Sequence, residues 1–354
     1  MVAVDSKLLA KIPDYNGDGK KDILWRDGAT GDNTVWLMNG GTIAGAANLP
    51  GLATNWEIAT TGDFSGNGKT DILWRDQATG DNTVWLMNGG RVAGAANLPG
   101  LPTNWNPTAV GDFSGNGKTD ILWRNQATGD NTMWLMNGGT LTAAANIPPL
   151  STDWNTAGIG DYNGDGKADI LWRNQTTGEN VMWQMNGSTI TGAAALPKLD
   201  NNWQSVGSFD FTGNGKADIL WRNTTTGQDV VWLMNGGKIT SAGNLPGLSK
   251  DWQVAAVGDY NGDKKTDIIW HNTATGQNTM WLMNGGTVVG AAALPALDNN
   301  WGLSSLSNFT GDGKSDIALH NYSTGSNAIW LMNGSTITAA ANLPTLSNSW
   351  QQLV

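Results

Sequence analysis

Three features of the sequence predict an all-β protein built as a seven-bladed β-propeller with four strands per blade. An oxygen-rich loop that begins at Asp14 returns every 49 residues, so the 354-residue chain holds seven repeats. Each repeat contains four short apolar runs separated by glycine-rich turns. The second and third runs are apolar on both faces, and blades stacked radially around an axis cover both faces of every sheet.

A linear solenoid is the alternative architecture for such a period. It needs polar caps on its terminal repeats, and none is visible in the sequence. The ring is therefore the more economical interpretation.

The two ends of the chain suggest how the ring closes. Residues 1–11 form an irregular segment, and residues 12–354 form one propeller domain. Aligned by the period, Lys7 stands where later repeats have a tryptophan, whereas the C-terminal segment Trp350–Val354 carries one. We therefore predict that this segment supplies the first strand of repeat 1. The alternative is that Leu8–Ile12 forms that strand and the C-terminal segment lies beside it.

Repeat 2 shows the order of elements within one blade. Its predicted strands are Trp56–Thr61, Asp71–Arg75, Thr83–Met87 and Arg91–Ala96. Asn88-Gly89 is a strong signal for a two-residue hairpin, because both residues tolerate positive φ. Since neighbouring strands run antiparallel, the oxygen-rich loop and this hairpin should lie at one end of the blade. The Thr-Gly turn and the Leu-Pro linker should lie at the other end.

The repeated loop predicts a metal site. Asp14-Tyr15-Asn16-Gly17-Asp18-Gly19-Lys20-Lys21-Asp22 has oxygen-bearing side chains at positions 1, 3, 5 and 9, and glycines at positions 4 and 6. Oxygen ligands on a flexible loop suit Ca²⁺ better than Mg²⁺. The loops begin at Asp14, Asp63, Asp112, Asp161, Asp210, Asp259 and Asn308. Seven bound Ca²⁺ ions would reverse the formal net charge of −10, so the acidity does not identify a partner.

The loop is followed by Ile-Leu-Trp-Arg and then by Trp-Leu-Met-Asn-Gly, and this pattern resembles the FG-GAP/VCBS propeller repeats. These repeats occur in bacterial surface and secreted proteins, in integrin α-subunit heads and in lectins similar to the Psathyrella velutina lectin. The resemblance covers the chain from residue 12 onward. It implies Ca²⁺ as a cofactor in up to seven loops and an extracellular or cell-surface location.

The resemblance also implies the ligands: the side chains at positions 1, 3, 5 and 9 and the backbone carbonyl at position 7. The implied metal ligands are Asp14, Asn16, Asp18, Lys20, Asp22, Asp63, Ser65, Asn67, Lys69, Asp71, Asp112, Ser114, Asn116, Lys118, Asp120, Asp161, Asn163, Asp165, Lys167, Asp169, Asp210, Thr212, Asn214, Lys216, Asp218, Asp259, Asn261, Asp263, Lys265, Asp267, Asn308, Thr310, Asp312, Lys314 and Asp316.

The seven loops should differ in affinity for the metal. Repeats 1, 4 and 6 have three carboxylates, whereas repeats 2, 3 and 5 have asparagine at the fifth position. Repeat 7 opens with Asn308, and repeat 6 has Lys264 where glycine would ease the turn. Fewer charges should mean weaker binding. The alternative is that some loops are tight turns that need no metal.

All 20 tryptophans fall at three positions of the repeat. The series of Trp36 is predicted to pack between blades, and those of Trp25 and Trp56 lie at the end away from the loops. Indole faces stack on sugars, and guanidinium groups bind hydroxyls or carboxylates. The predicted ligand-binding residues are Trp56, Trp105, Trp154, Trp203, Trp252, Trp301, Trp350, Arg26, Arg75, Arg124, Arg173 and Arg222. Alternatively, the arginines only stack on tryptophan and bond loop carbonyls.

Several functional classes find little support. No cysteine is present, and the only histidines are His271 and His320 at the arginine position of repeats 6 and 7. No serine lies in a nucleophile-elbow motif, and Glu57 and Glu179 stand at unrelated repeat positions. No apolar run approaches the roughly 18 residues of a membrane helix. The N-terminus lacks the long apolar core of a signal peptide, and basic, aromatic strips for nucleic acid are absent.

The sequence therefore favours a calcium-stabilised, non-catalytic propeller that binds glycans or glycoconjugates at several sites. A protein-interaction or adhesion scaffold with a protein partner is the first alternative. A non-catalytic or atypical propeller part of a polysaccharide lyase-like enzyme is another. The near-identity of the repeats also allows a recently amplified or engineered protein with no evolved ligand.

Overall fold

The computed structural model of the protein describes residues 13–353, apart from the side chains of residues 304–307 and 353. Within that range the regular structure is entirely β. In chain order the strands are β1 (Ile23–Asp27), β2 (Asn33–Asn39), β3 (Thr42–Leu49), β4 (Trp56–Gly62), β5 (Asp71–Asp76), β6 (Asn82–Met87), β7 (Val92–Leu98), β8 (Trp105–Gly111), β9 (Asp120–Asn125), β10 (Asn131–Asn137), β11 (Thr140–Ile147), β12 (Trp154–Gly160), β13 (Asp169–Asn174), β14 (Asn180–Asn186), β15 (Thr189–Leu196), β16 (Trp203–Phe209), β17 (Asp218–Asn223), β18 (Asp229–Asn235), β19 (Lys238–Asn244), β20 (Trp252–Gly258), β21 (Asp267–Asn272), β22 (Asn278–Asn284), β23 (Thr287–Leu294), β24 (Trp301–Ser307), β25 (Asp316–Asn321), β26 (Asn327–Asn333), β27 (Thr336–Leu343) and β28 (Trp350–Leu353).

These strands form seven antiparallel sheets of four strands, which confirms the predicted blades. Blades 2 to 7 follow chain order, for example β4-β5-β6-β7 in blade 2. The fourth strand of that blade, β7, ends at Leu98, two residues beyond the prediction, because its ladder continues until Leu98 pairs with Asn82. The blade is thus longer at the linker end than the sequence indicated.

The C-terminal strand closes the ring. Blade 1 has the strand order β28-β1-β2-β3. Trp350 of β28 lies opposite Asp27, the same register in which Trp56 lies opposite Asp76 in blade 2. The predicted closure is therefore confirmed. The alternative strand at Leu8–Ile12, like the irregular segment 1–11, lies outside the described residues.

The hydrophobic core consists of layers between neighbouring blades. In one layer, Leu24 and Val35 of blade 1 pack with Trp74 and Trp85 of blade 2. Equivalent layers recur around the ring. Every residue of β5 is buried, which explains why this strand is apolar on both faces. The Trp36 series lies in these layers, as predicted.

The position of each strand in its blade decides what it can present to a ligand. First strands of neighbouring blades, such as β4 and β8, contact each other and form the inner edge. Fourth strands such as β3 lie at the outer edge and alternate between exposed and half-buried residues. Binding groups must therefore come from the two ends of the blades or from the outer edge. The described part of the chain contains no helix long and apolar enough to span a membrane.

Candidate functional site

The loop that begins each repeat winds around its own side-chain oxygens. The Asp14 carboxylate accepts hydrogen bonds from the backbone nitrogens of Gly17 at 2.6 Å and Gly19 at 2.9 Å. Asn16 Oδ1 accepts one from Asp18 N at 2.8 Å, and Asp18 Oδ1 one from Lys20 N at 2.9 Å. The side chains at positions 1, 3 and 5 are thus turned toward the loop interior.

The aspartate at the ninth position is buried beneath the loop. Asp22 is 0% exposed, and its carboxylate accepts hydrogen bonds from Tyr15 N at 2.8 Å and Met38 N at 3.0 Å. Burial raises the pKa of Asp22 to about 6, and the nearby charges of Asp14 and Asp18 act in the same direction. The other six ninth-position aspartates are likewise buried and accept a bond from the third strand.

The loops divide into two hydrogen-bonding types. In loops 2, 3, 5 and 7 a hydroxyl at position 3 donates to the side-chain oxygen at position 1, as Thr212 does to Asp210 at 3.1 Å. In loops 1, 4 and 6 an asparagine at position 3 instead accepts from the fifth backbone nitrogen, as Asn163 does from Asp165 at 2.8 Å. The second group is also the one with three carboxylates.

The donor set of these loops fits a hard cation in charge and chemistry. Its donors are all oxygen, and no described ion pair involves a ninth-position aspartate. Within residues 13–353, no group of three or more histidine, aspartate or glutamate side chains is arranged to hold a metal. Carboxylates alone therefore do not form the site, and neutral donors such as Asn16 Oδ1 and the Lys20 carbonyl would have to complete it. The 35 implied ligands remain a prediction.

Lys264 shows that one loop tolerates a poorer turn residue. It has φ 65°, in the region that favours glycine, and its nitrogen donates to Asp259 Oδ2 at 2.7 Å, as the equivalent glycine does in loops 1 to 5. The expected irregularity of repeat 6 is thus present, without loss of the hydrogen bond.

The loops also join neighbouring blades. The Asp14 carbonyl accepts a hydrogen bond from Thr70 N of blade 2 at 2.8 Å, and the Tyr15 carbonyl accepts one from Gly89 N at 2.7 Å. Both bonds recur between every pair of adjacent blades, and between blades 7 and 1 the first is Lys21 N to the Asn308 carbonyl at 3.0 Å. An ordered loop therefore holds one blade to the next.

At the opposite end, buried arginines join the blades. Arg124 Nη1 donates to the Gly129 carbonyl at 2.9 Å and to Asn131 Oδ1 at 3.0 Å. Its Nη2 donates to the carbonyls of Leu150 at 3.1 Å and Ser151 at 2.7 Å in the linker to blade 4. Both terminal nitrogens are therefore occupied by the fold.

The guanidinium group of each arginine also lies over a tryptophan of the next blade. The pairs are Arg26 with Trp74, Arg75 with Trp123, Arg124 with Trp172, Arg173 with Trp221 and Arg222 with Trp270, at 4.9 to 5.3 Å from the ring centroid. These contacts agree with the alternative interpretation, in which the arginines stack and bond loop carbonyls. The assignment of the arginines to a ligand is still an untested prediction.

Blades 6 and 7 replace the arginine by histidine. His271 bonds Asn278 at 2.8 Å and Asn299 of the linker at 3.1 Å. His320 bonds Asn327 at 2.7 Å, and its ring lies 5.2 Å from that of Trp25 in blade 1. Both rings are buried parts of the joints between blades.

The predicted tryptophans at the start of each first strand are half-buried, so part of each indole faces solvent. In blade 3, Trp105 lines a cavity of about 260 Å³ together with Asp130, Asn131, Asn146, Ile147 and Pro149. Asp130 and Asn146 are exposed. Neither residue is among the predicted ligand-binding residues, although an acid recurs at the equivalent of Asp130 in blades 1, 2 and 4, as Asp32, Asp81 and Glu179.

Comparisons with known proteins agree with the repeat and the fold. The family model described as FG-GAP-like repeat matches residues 14–74, 63–123, 112–172, 161–221 and 210–270. No curated protein matches the chain.

Among solved structures, the chain is similar to Hsv2 of Kluyveromyces lactis, with 8% identity, TM-score 0.52 and coverage of 94% of this chain and 98% of that one. A protein from Lactobacillus plantarum matches with 10% identity, TM-score 0.53 and coverage of 92% and 97%. Prolyl oligopeptidase B of Galerina marginata matches with 11% identity, TM-score 0.60 and coverage of 96% and 51%. At these identities the likeness concerns the fold alone.

Proposed function

Because the chain belongs to the FG-GAP-like repeat family, we propose that it is a calcium-stabilised propeller that binds glycans at several sites on the end opposite the loops. Propellers of this family are typically non-catalytic and often serve in protein interactions. Glycan binding and calcium binding are the two proposed properties, and each rests on a separate observation.

The cavity beside Trp105 carries the glycan proposal. A half-buried indole offers an apolar face to the C–H surface of a sugar ring. The exposed Asp130 carboxylate accepts hydrogen bonds, and the exposed Asn146 carboxamide both donates and accepts. An apolar platform edged by hydrogen-bonding groups suits a ligand with many hydroxyls. Half-buried tryptophans recur at the equivalent position of every blade, so several weak sites would act together through avidity.

The calcium proposal rests on the way the loops join the blades. A bound Ca²⁺ would supply positive charge between the first, fifth and ninth side chains of a loop. The residues themselves hold the loop in shape and present their carbonyls to the next blade, as Asp14 does to Thr70. Neutralising Asp22, which is buried without an ion-pair partner among the described residues, should therefore stabilise the joint between blades.

We also propose that the protein has no catalytic role and acts outside the cell or at its surface. Both histidines are bonded within the joints, and most acidic residues belong to the loops. Millimolar extracellular calcium would suit loops of modest charge.

A glycan array followed by calorimetric titration of the best saccharide tests the proposal. Trp105→Ala should lower the number of bound saccharides by one and leave the affinity of the remaining sites unchanged. The matched control is Trp134→Phe, which alters a tryptophan buried between blades and should leave the number of sites unchanged. Binding that is insensitive to Trp105→Ala, in a protein with an unchanged melting profile, would contradict the site.

A protein-interaction function is the second candidate, because two large apolar side chains are exposed on adjacent blades. Val289 of blade 6 is 61% exposed and Tyr322 of blade 7 is 60% exposed. A glycan array without any sugar-inhibitable signal, together with protein capture that Tyr322→Ser abolishes, would favour this function.

A further inference from the structure

The ligand charge that the glycan sites accept can be inferred from the groups around the Trp105 cavity, and this inference rests on the proposed glycan-binding function. We propose that the sites of blades 1 to 3 bind neutral or amino sugars and discriminate against acidic sugars. Two observations carry the proposal: the acid at the edge of each site, and the absence of an available cation in the cavity of blade 3.

The acid lies where a ligand would make contact. Asp130 follows the Thr128-Gly129 turn and is exposed at the cavity. Thr128 Oγ1 donates to Asp130 Oδ2 at 2.6 Å, which orients the carboxylate. Asp32 and Asp81 are held by the equivalent threonine at 2.8 and 2.9 Å. A carboxylate can only accept hydrogen bonds, so it favours hydroxyl or ammonium donors on the sugar.

The buried arginine of blade 3 is not free to bind an acidic sugar. Arg124 lies beneath the turn, where it is 1% exposed, and its terminal nitrogens are taken by Gly129, Asn131 and the linker. The cavity lining itself contains no lysine or arginine. The charge of Arg124 acts on Asp130 through space, but its terminal nitrogens are already bonded. A sugar carboxylate would therefore meet Asp130 without a cationic hydrogen-bond donor of its own, and like charges at a contact oppose binding.

The acid does not recur in every blade. Blade 4 has Glu179 at this position, but it also has the exposed Lys198 where blade 3 has Pro149, and Ala195 where blade 3 has Asn146. Blades 5, 6 and 7 have Gln228, Gln277 and Ser326. At this position the ring thus has four acids, and only blade 4 combines its acid with a lysine among the equivalent lining residues.

Blade 6 supplies an internal reference, because it has the carboxamide of Gln277 in place of the acid and Asn278 beside it. Blade 5 does not, because the acid Asp229 follows Gln228 there.

Three pyranoses that differ in charge test the inference: glucosamine, glucose and glucuronic acid. Each would be titrated at low ionic strength and followed by ligand-observed NMR and calorimetry. The test variant is the triple change Asp32→Asn, Asp81→Asn and Asp130→Asn. The matched control is Asp153→Asn, Asp200→Asn and Asp298→Asn, which removes the same charge from exposed aspartates of the linkers.

We expect glucosamine and glucose to bind about fivefold more tightly than glucuronic acid, the size of an exposed charge contact. The triple site variant should reduce this ratio toward one, and the linker variant should preserve it. Equal or tighter binding of glucuronic acid by the unaltered protein would overturn the inference and leave glycan binding intact. Binding of none of the three sugars, with no signal on the glycan array, would overturn the proposed function and this inference with it.

Discussion

The two ends of the ring join the same blades in different ways. At the loop end, every joint uses the same two backbone hydrogen bonds, and the donor at the eighth loop position is a lysine, threonine, alanine or serine depending on the blade. At the linker end, the joints depend on side chains, with an arginine over a tryptophan in five of them. The other two joints have histidine.

The difference shows how a repeat can vary without opening the ring. A backbone nitrogen is present whichever residue occupies the position, so substitution leaves the loop joint unchanged. The contact between an arginine and an indole, in contrast, is lost when either residue is replaced. Leu319 of blade 7 has replaced the tryptophan, and His271 of blade 6 stands where an arginine would cover it. The loss of the tryptophan does not explain both histidines, because His320 still faces Trp25.

Removal of calcium should produce the largest effect, because it acts on the loop end of every joint. A site filled at a hundredfold excess over its Kd adds about 2.7 kcal/mol to the free energy of unfolding. The free energies of unfolding obtained from thermal melts in Ca²⁺ and in chelator should differ by the sum of these contributions over the occupied loops. Native mass spectrometry should show three ions bound first, in loops 1, 4 and 6. Superimposable melts in Ca²⁺, Mg²⁺ and chelator would contradict the calcium assignment.

Arg124→Ala should be the most damaging single change at the linker end. It leaves the acceptors at Gly129, Asn131, Leu150 and Ser151 without their donor. We expect a loss of about 3–5 kcal/mol in the free energy of unfolding, measured by urea titration, because each buried acceptor left unsatisfied costs about 1–3 kcal/mol. His271→Ala is the comparison in an irregular joint, and it should cost less because only two hydrogen bonds are lost. An equal loss for both variants would remove the distinction between the joints.

Asp229→Asn should alter how stability depends on pH. Asp229 stands where six blades have asparagine, and its carboxylate lies 2.5 Å from Arg222 Nη1. Burial raises the pKa of Asp229 to about 6, although the Arg222 charge lowers it. Because the folded pKa lies above the ordinary value near 4, this group favours the folded state most below about pH 4. That contribution is lost as the pH rises through 6.

The variant should therefore be more stable than the wild-type protein at pH 7 by up to about 2–3 kcal/mol. The advantage should disappear near pH 4. Urea titrations of both proteins between pH 4 and 7 measure it, and loop aspartates common to both cancel in the difference. A constant difference over that range would show that Asp229 stays ionised beside Arg222.

Conversion of the joint between blades 6 and 7 to the regular type should have the smallest effect. The double change His271→Arg with Leu319→Trp should add about 1–2 kcal/mol through stacking in a buried setting. Each single change should add less, since neither supplies the pair. A double-mutant cycle from urea titrations measures the coupling. Additive single effects would mean that the arginine and the tryptophan act independently.

Local pattern was enough to predict much of the structure. The 49-residue period, the turn residues and the apolar strands predict four-stranded blades, because each depends on residues close in the chain. The closure by β28 was also predictable, since Trp350 shares its register with the tryptophan that starts every other first strand. Family resemblance supplied the proposed calcium ligands, which local geometry alone does not establish.

The sequence by itself therefore determined the repeat, the blade, the ring and the two ends at which its special residues lie. Only the tertiary structure decided which of those residues remain available to a ligand. Arg124 and Trp105 belong to one predicted cluster, yet the arginine is buried by the next blade and the tryptophan is half-exposed. Asp130 lines the same cavity as Trp105, although the two residues are 25 positions apart in the sequence. Burial and proximity of this kind depend on how blades pack against each other, and a pattern within one repeat does not contain that information.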